Sequence, residues 1–382
     1  MAHIAEPYGP PRPVFVSKTA PDQVRFVSID ALKGLAILFL WVVYAFPGTD
    51  SLPDQLKPSA WGQVHLVNLL VPAILLALGA GIALSAGFAA SNGETFLRFL
   101  NRALKRSLCL IFIGILLDSA VELRPVVQVG ALQLMGLCYF LTAVFSRTPV
   151  WLRAALAEGL LLAYWAWIRL SVVPGGKIGT FNEHTNIVRH MNERVLAPYG
   201  LRGLIAVVPV LSVMLTGTMA GSAYWEELPR VKRALAFIGA GAIMVALGWV
   251  CTMPWALDMP MVQAYWTSSY ALFATGISAC VLGLFTLLLD GYGGRIAAFL
   301  FLVPASSVVL GIAGPLFLKS MVLQTWRMPG SNESLEGGLV RLSMDQFGPV
   351  AGRWVYGAAF VVLWWVILAV VYSRRNRSRE ES

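Results

Sequence analysis

Residues 66–89 read LVNLLVPAILLALGAGIALSAGFA, a run with no acidic or basic side chain. A helix rises about 1.5 Å per residue, so this run extends about 36 Å and outspans a hydrocarbon core of about 30 Å. Lipid offers no partner to an unpaired backbone group, so the segment must satisfy its own hydrogen bonds as a helix. Comparable apolar runs occupy 30–47, 107–121, 127–146, 152–172, 203–223, 234–252, 265–289, 296–319 and 351–373. The expected fold is therefore an all-α integral membrane bundle of about ten transmembrane helices.

Composition agrees. The chain is 57% hydrophobic and 13% charged, against roughly a quarter charged in soluble domains, which excludes a water-soluble protein. Its 382 residues would suffice for two or three soluble domains, but no charged segment is long enough to form one. The expected organisation is a disordered cytoplasmic lead at 1–24, one membrane domain at 25–373 and a basic cytoplasmic tail at 374–382. The lead contains prolines and no apolar core, unlike a cleavable signal peptide.

The formal charge is +9, from 29 Lys and Arg against 20 Asp and Glu. Ten crossings that start inside put seventeen of the 29 bases in cytoplasmic segments and ten outside, with Lys33 and Arg169 left in helices. That asymmetry places both termini in the cytoplasm, and a bacterial inner membrane is the simplest location. Bases set beside apolar runs orient helices and form no stripe for nucleic acid. The four cysteines lie in or against apolar segments without CxxC spacing and read as small buried side chains. Two long outer connections, about 174–202 and 320–350, lack apolar helical periodicity and are expected to be loops that cap an external entrance or are simply solvated. His184 and His190 are six residues apart and do not share a helical face, so no metal site is expected.

Polar residues are concentrated at few places. RFVSIDALKGLAILFLWVVYAFPG (25–48) carries Ser28, Asp30 and Lys33 at the start of the first helix, where Ser28 or Asp30 caps it and Asp30 pairs with Lys33 one turn later. This opening resembles that of membrane acyltransferases of the heparan-alpha-glucosaminide N-acetyltransferase type. The similarity continues through KPSAWGQVHLVNLLVPAILLALGAGIALS (57–85), which keeps Trp61, Pro72, Gly79 and Ser85, and VGALQLMGLCY (129–139), which keeps Gly130, Leu132, Gln133 and Tyr139. YGLRGLIAVVPVLSVMLTGTMAG (199–221) keeps Gly203, Pro209, Gly217 and Gly221, and PMVQAYWTSSYALFATG (260–276) keeps Pro260, Trp266, Thr267, Ser269, Tyr270 and Gly276, followed by Asp290. The resemblance runs from about 25 to 290, in order.

The resemblance implies transfer of an acyl group, acetyl in the type case, from cytoplasmic acyl-CoA to an amine or hydroxyl acceptor on the far side. Such chemistry needs a base near the nucleophile's proton and donors near the oxyanion. The family places a histidine in a Lys-His-x-x-Trp context for that task. Here the run is Lys57-Pro58-Ser59-Ala60-Trp61, and proline cannot accept a proton. Other polar positions depart as well: expected Asn align with Tyr44 and Gly62, an Asp with Asn68, arginines with Val127 and Leu134, a Glu with Arg202 and a Lys with Gln263.

Two readings follow. In the first, His65 is a relocated base, Asn68 and Tyr44 support it, and Lys33, Arg98, Arg102, Lys105 and Arg106 meet the phosphates of coenzyme A, although the positive-inside rule explains those bases equally well. In the second, the chain is a catalytically silent relative acting as an accessory subunit of a membrane-protein complex. Lipids and a homo-oligomer or larger membrane complex are the expected partners. A substrate carrier ranks third, since no internal repeat is visible.

Overall fold

The computed structural model describes residues 26–46, 52–226, 228–290, 295–328, 330 and 332–380. The described residues are overwhelmingly helical, with isolated β-bridges and no β-strand among them. The chain forms α1 (Val27–Ala45), α2 (Leu66–Ser91), α3 (Phe96–Glu122), α4 (Ala131–Phe145), α5 (Val150–Leu170), α6 (Ile187–His190) and α7 (Val207–Ser222). Then follow α8 (Arg230–Val250), α9 (Ser268–Leu289), α10 (Arg295–Ala305), α11 (Val308–Leu318), α12 (Leu335–Phe347) and α13 (Pro349–Glu380). Among the described residues, six helical segments are long and apolar enough to cross a membrane: α1, α2, Leu204–Ser222, α8, α9 and Pro349–Arg374 of α13. The all-α membrane class is thus realised.

Three segments differ from the sequence reading. The third helix begins at Phe96, not 107, because Arg98, Arg102, Lys105 and Arg106 are good helix formers that an apolar-run criterion discards. The ninth run is broken into α10 and α11 around Ser306, with Ser307 Oγ accepting from Leu310 N and starting the second piece. The connection at 320–350 is not all loop: it contains α12, started by Ser334, whose Oγ accepts from Gly337 N. The connection at 174–202 holds the short α6, and α13 continues as helix through the basic tail to Glu380. The lead at 1–24 lies outside the described residues.

Helices in lipid gain little from burying apolar area, so close backbone packing must hold them together. The α2–α7 crossing shows how. A Cβ on Gly79 would lie 2.1 Å from the Met214 carbonyl oxygen, and one on Gly217 would lie 2.2 Å from that of Leu76. Only glycine permits this approach. Across the bundle, the buried Trp41 Nε1 donates to the Gly311 carbonyl at 2.6 Å and ties α1 to α11.

α1 begins at one end of the bundle, the near end, and α2 begins at the opposite, far end. At the near end the start of α1 is capped from 262 residues away: Ser28 N donates to Asp290 Oδ1 at 3.0 Å and Ser28 Oγ to Oδ2 at 2.8 Å. Ser28 is therefore a donor to the cap and not the cap itself. Asp30 pairs with Lys33 at 3.0 Å, as expected. Tyr224 completes the cluster through hydroxyl contacts of 2.7 Å to Ser28 and 2.8 Å to Thr286, with the Arg233 guanidinium over its ring. Burial raises the Asp290 carboxyl above the ordinary range against the pull of the Ser28 hydrogen bonds.

Replacing Gly217 with Leu is expected to force α2 and α7 apart. The cost of such overpacking is at least about 1–3 kcal/mol, read as a lowered unfolding temperature in detergent, whereas Gly239→Leu on the open face of α8, where a Cβ meets nothing within 4 Å, should leave that temperature unchanged.

Candidate functional site

Two polar regions lie at opposite ends of α2. At the far end His65 immediately precedes the helix, where four backbone N–H groups lack intrahelical partners. His65 Nδ1 lies 3.0 Å from the Lys57 carbonyl. A carbonyl only accepts, so Nδ1–H is the donor in this contact, and Nε2 is the ring nitrogen that the contact does not use. His65 N donates to Asn68 Oδ1 at 2.6 Å, and Asn68 Nδ2 donates to Gln263 Oε1 at 2.8 Å. The Tyr270 hydroxyl donates to the Asn68 carbonyl, so α9 and the segment before it hold the start of α2 in place.

Asn68 and Gln263 are two of the positions where the resemblance expects charge, Asp and Lys respectively. Their contact joins the two positions in one neutral amide pair. Gly62 has a φ of +78°, in the left-handed region that glycine adopts readily, which permits the turn after Trp61.

Trp61 packs against Phe181 and Tyr265, with ring centroids 5.3 and 5.9 Å away. Phe181 belongs to the long connection at 174–202, which is thereby fastened over the far end. Beside it lies a vestibule of about 740 Å³ whose lining includes Gly62, Lys177, Thr180, Asn182, Thr252 and the ion pair Arg169–Asp258 at 3.0 Å. Its mixed donors and acceptors suit a polar molecule.

At the near end a cleft of about 190 Å³ opens between α1, α2, α3, α4 and the α10–α11 break. Its polar lining is Asp30, Lys33, Ser85, Arg106, Tyr139 and Ser306. Arg106 Nη1 donates to the Tyr139 hydroxyl at 3.2 Å, while Asp30 Oδ2 is buried without a hydrogen-bond partner. Lys33 is paired with Asp30 inside this lining, so Arg106 supplies its remaining cation, beside hydroxyl groups that can receive an anionic ligand.

The structure divides the residues proposed from sequence. His65 and Asn68 are directly bonded. Tyr44 stands half-buried at the end of α1, where its carbonyl accepts from Lys319 Nζ at 2.8 Å. Among the described residues no hydrogen bond joins its hydroxyl to His65 or Asn68. Of the five bases, Lys33 and Arg106 line the cleft; Arg102 pairs with Glu94 at 2.7 Å, and Arg98 and Lys105 are exposed outside the cleft lining. Gln263, Ser306 and the vestibule-lining Thr180 and Asn182 were not singled out for binding or chemistry. Only tertiary contact brings them in, although Ser306-Ser307 after Pro304 is a visible helix break.

The class defined here is a helical membrane protein with a cationic cleft at one end and an oriented imidazole at the other. The family model described as heparan-alpha-glucosaminide N-acetyltransferase, catalytic, matches residues 25–253, well over half of the chain, and the chain belongs to that family. A comparison with curated proteins gives no match. The matched span contains α1–α8, the bases of the cleft and His65. It stops short of Gln263 and Tyr270, to which the resemblance was expected to extend.

Asn68→Leu removes the acceptor for His65 N and strands Gln263. An unfolding cost of about 1–3 kcal/mol is expected. The double variant Asn68→Leu with Gln263→Leu should recover part of the loss, because no stranded amide remains; additive losses in thermal unfolding would show that the pair is not coupled.

Proposed function

We propose that this chain is a transmembrane acyltransferase that takes an acyl group from acyl-CoA at the near-end cleft and passes it to an amine or hydroxyl acceptor in the far-end vestibule. Family membership supports the reaction class, and the single observation that carries the reading for this chain is the orientation of His65. Its Nδ1–H is held by the Lys57 carbonyl, which leaves Nε2 free for a proton even though proline stands at the family's histidine position. The near end is then cytoplasmic. Crossings by α1–α5, α7–α9, the broken α10–α11 pair and α13 number ten, which returns the C-terminus to the cytoplasmic side; a bacterial inner membrane is the simplest setting.

The step balances as follows. The acceptor's lone pair attacks the thioester carbonyl carbon while its N–H or O–H proton passes to His65 Nε2. Collapse of the tetrahedral intermediate breaks the C–S bond, and the thiolate leaves as coenzyme A after taking up a proton. Lys33 and Arg106 oppose the phosphates. Arg98, Arg102 and Lys105 serve the positive-inside bias instead. Asn68 positions the start of α2, and Tyr44 is a packing residue rather than part of the chemistry.

One observation favours the second reading, a silent accessory subunit. Between Asn68 and Ala77, about 14 Å of α2 separates the two polar regions, and Ile74, Leu75 and Leu76 there are 0–1% exposed. Acyl transfer requires the thioester arm to pass this layer.

Equilibrium binding of acetyl-CoA to the purified protein, followed by thiol release with an added amine, separates the two. The enzyme reading expects binding that Arg106→Ala weakens. It also expects turnover that His65→Ala lowers by about 10²–10⁴-fold with binding retained. Binding without thiol release would favour the silent relative, and absence of binding would eliminate the enzyme.

A further inference from the structure

The near-end turns of α3 carry charge of the sign that a helix start disfavours. The first turn holds no acidic residue and Thr95 before it makes no side-chain cap, although the start of a helix favours negative charge. Cations stand there instead. Arg98, Asn101 and Lys105 are exposed and spaced i, i+3 and i+7, which sets all three on one face over about 10 Å of helix axis. The neighbouring Arg102 and Arg106 are engaged by Glu94 and by the Tyr139 hydroxyl. Among the described residues, no hydrogen bond or ion pair engages the side chains of Arg98, Asn101 or Lys105.

The same face is otherwise apolar: Leu97, Leu104, Leu108 and Phe112 are all exposed on it. Its depth follows from a contact to α4. Ser107 Oγ donates to the Gly136 carbonyl at 2.8 Å, and Gly136 is nine residues before the near end of α4 at Phe145, about 14 Å along the axis. Lys105 is therefore rooted inside the helical layer, on a side that the bundle leaves uncovered. A cation facing only hydrocarbon is costly, so its stem must run along the apolar surface and carry the ammonium back toward the near end. That brings it toward Asn101 and Arg98.

We propose that this face of α3 binds an anionic glycerophospholipid of the near-end leaflet. Its phosphate is held by Arg98 and Lys105 with the Asn101 amide donating between them, and its acyl chains lie along Leu104, Leu108 and Phe112. The pairing supplies both cations with a counter-charge and sets an anion beside the start of α3. A zwitterionic lipid brings a cation of its own to the same place, so the site selects net negative charge. A soluble anion has no chains for the apolar part of the face. The inference needs only that the near end lies at a membrane surface, and it is independent of acyl transfer.

Cys109 is exposed one turn beyond Lys105 on this face, while Cys138 is buried. A fluorophore on Cys109, in a Cys251→Ser, Cys280→Ser background, therefore reports the lipids beside the patch. In phosphatidylcholine vesicles, quenching by brominated phosphatidylglycerol is compared with quenching by brominated phosphatidylcholine. The anionic lipid is expected to associate about fivefold more strongly. The double variant Arg98→Gln with Lys105→Gln should lose that preference, with quenching by phosphatidylcholine and thermal unfolding both retained. Lys232→Gln, at an exposed base near the start of α8, should keep it. Equal quenching by the two lipids in the unaltered chain would overturn the proposal, as would a preference that survives the double variant or is lost equally in Lys232→Gln. Loss of the preference to inorganic phosphate, but not to chloride at the same ionic strength, would identify a soluble anion as the occupant and overturn it too.

Discussion

Hydrocarbon satisfies no hydrogen bond, and the architecture of this chain follows from that. Every backbone group at membrane depth must be paired inside a helix, so the irregular positions are the places where something else supplies the partner. The start of α1 is paired by Asp290, which comes from the end of α9. The start of α2 is paired by Asn68, itself held by Gln263 and Tyr270. The break between α10 and α11 is covered by the Ser307 cap and lines the near-end cleft at Ser306. Both candidate binding regions thus occur where the helical regularity stops.

The same constraint shapes the polar contact at the start of α2. An Asp and a Lys facing each other would carry a desolvation cost that their attraction must offset. Asn68 and Gln263 keep the geometry at 2.8 Å without either charge. The amide pair fixes the start of α2, and hence His65, with no charge to desolvate. The Nδ1 contact to the Lys57 carbonyl holds the His65 ring in one orientation.

Much of the fold was legible in the sequence because an uncharged run of membrane length has one physical solution. α2 was legible almost to the residue. What escaped has specific causes. α3 starts early because its first turns are basic and helical together, a combination that hydropathy reads as loop. α12 is too polar for the same criterion, yet Ser334 starts it. The cap on α1 was assigned locally to Ser28 or Asp30, since sequence proximity says nothing of a partner 262 residues distant. At the candidate site, His65 and Asn68 share a helix start and could be paired by spacing, whereas Tyr44 was grouped with them by resemblance alone; its backbone carbonyl accepts from Lys319.

Acyl transfer by this chain would require a single path joining the near-end cleft to the imidazole through the buried layer at Ile74–Leu76. The most direct measurement is the experimental structure of the chain with a non-transferable acetyl-CoA analogue bound. The account predicts phosphate density beside Lys33 and Arg106, an extended arm past displaced Ile74–Leu76 side chains, and the acyl end beside His65 Nε2. An analogue whose acyl end stops at the level of Ser85, or an empty cleft under saturating ligand, would contradict it.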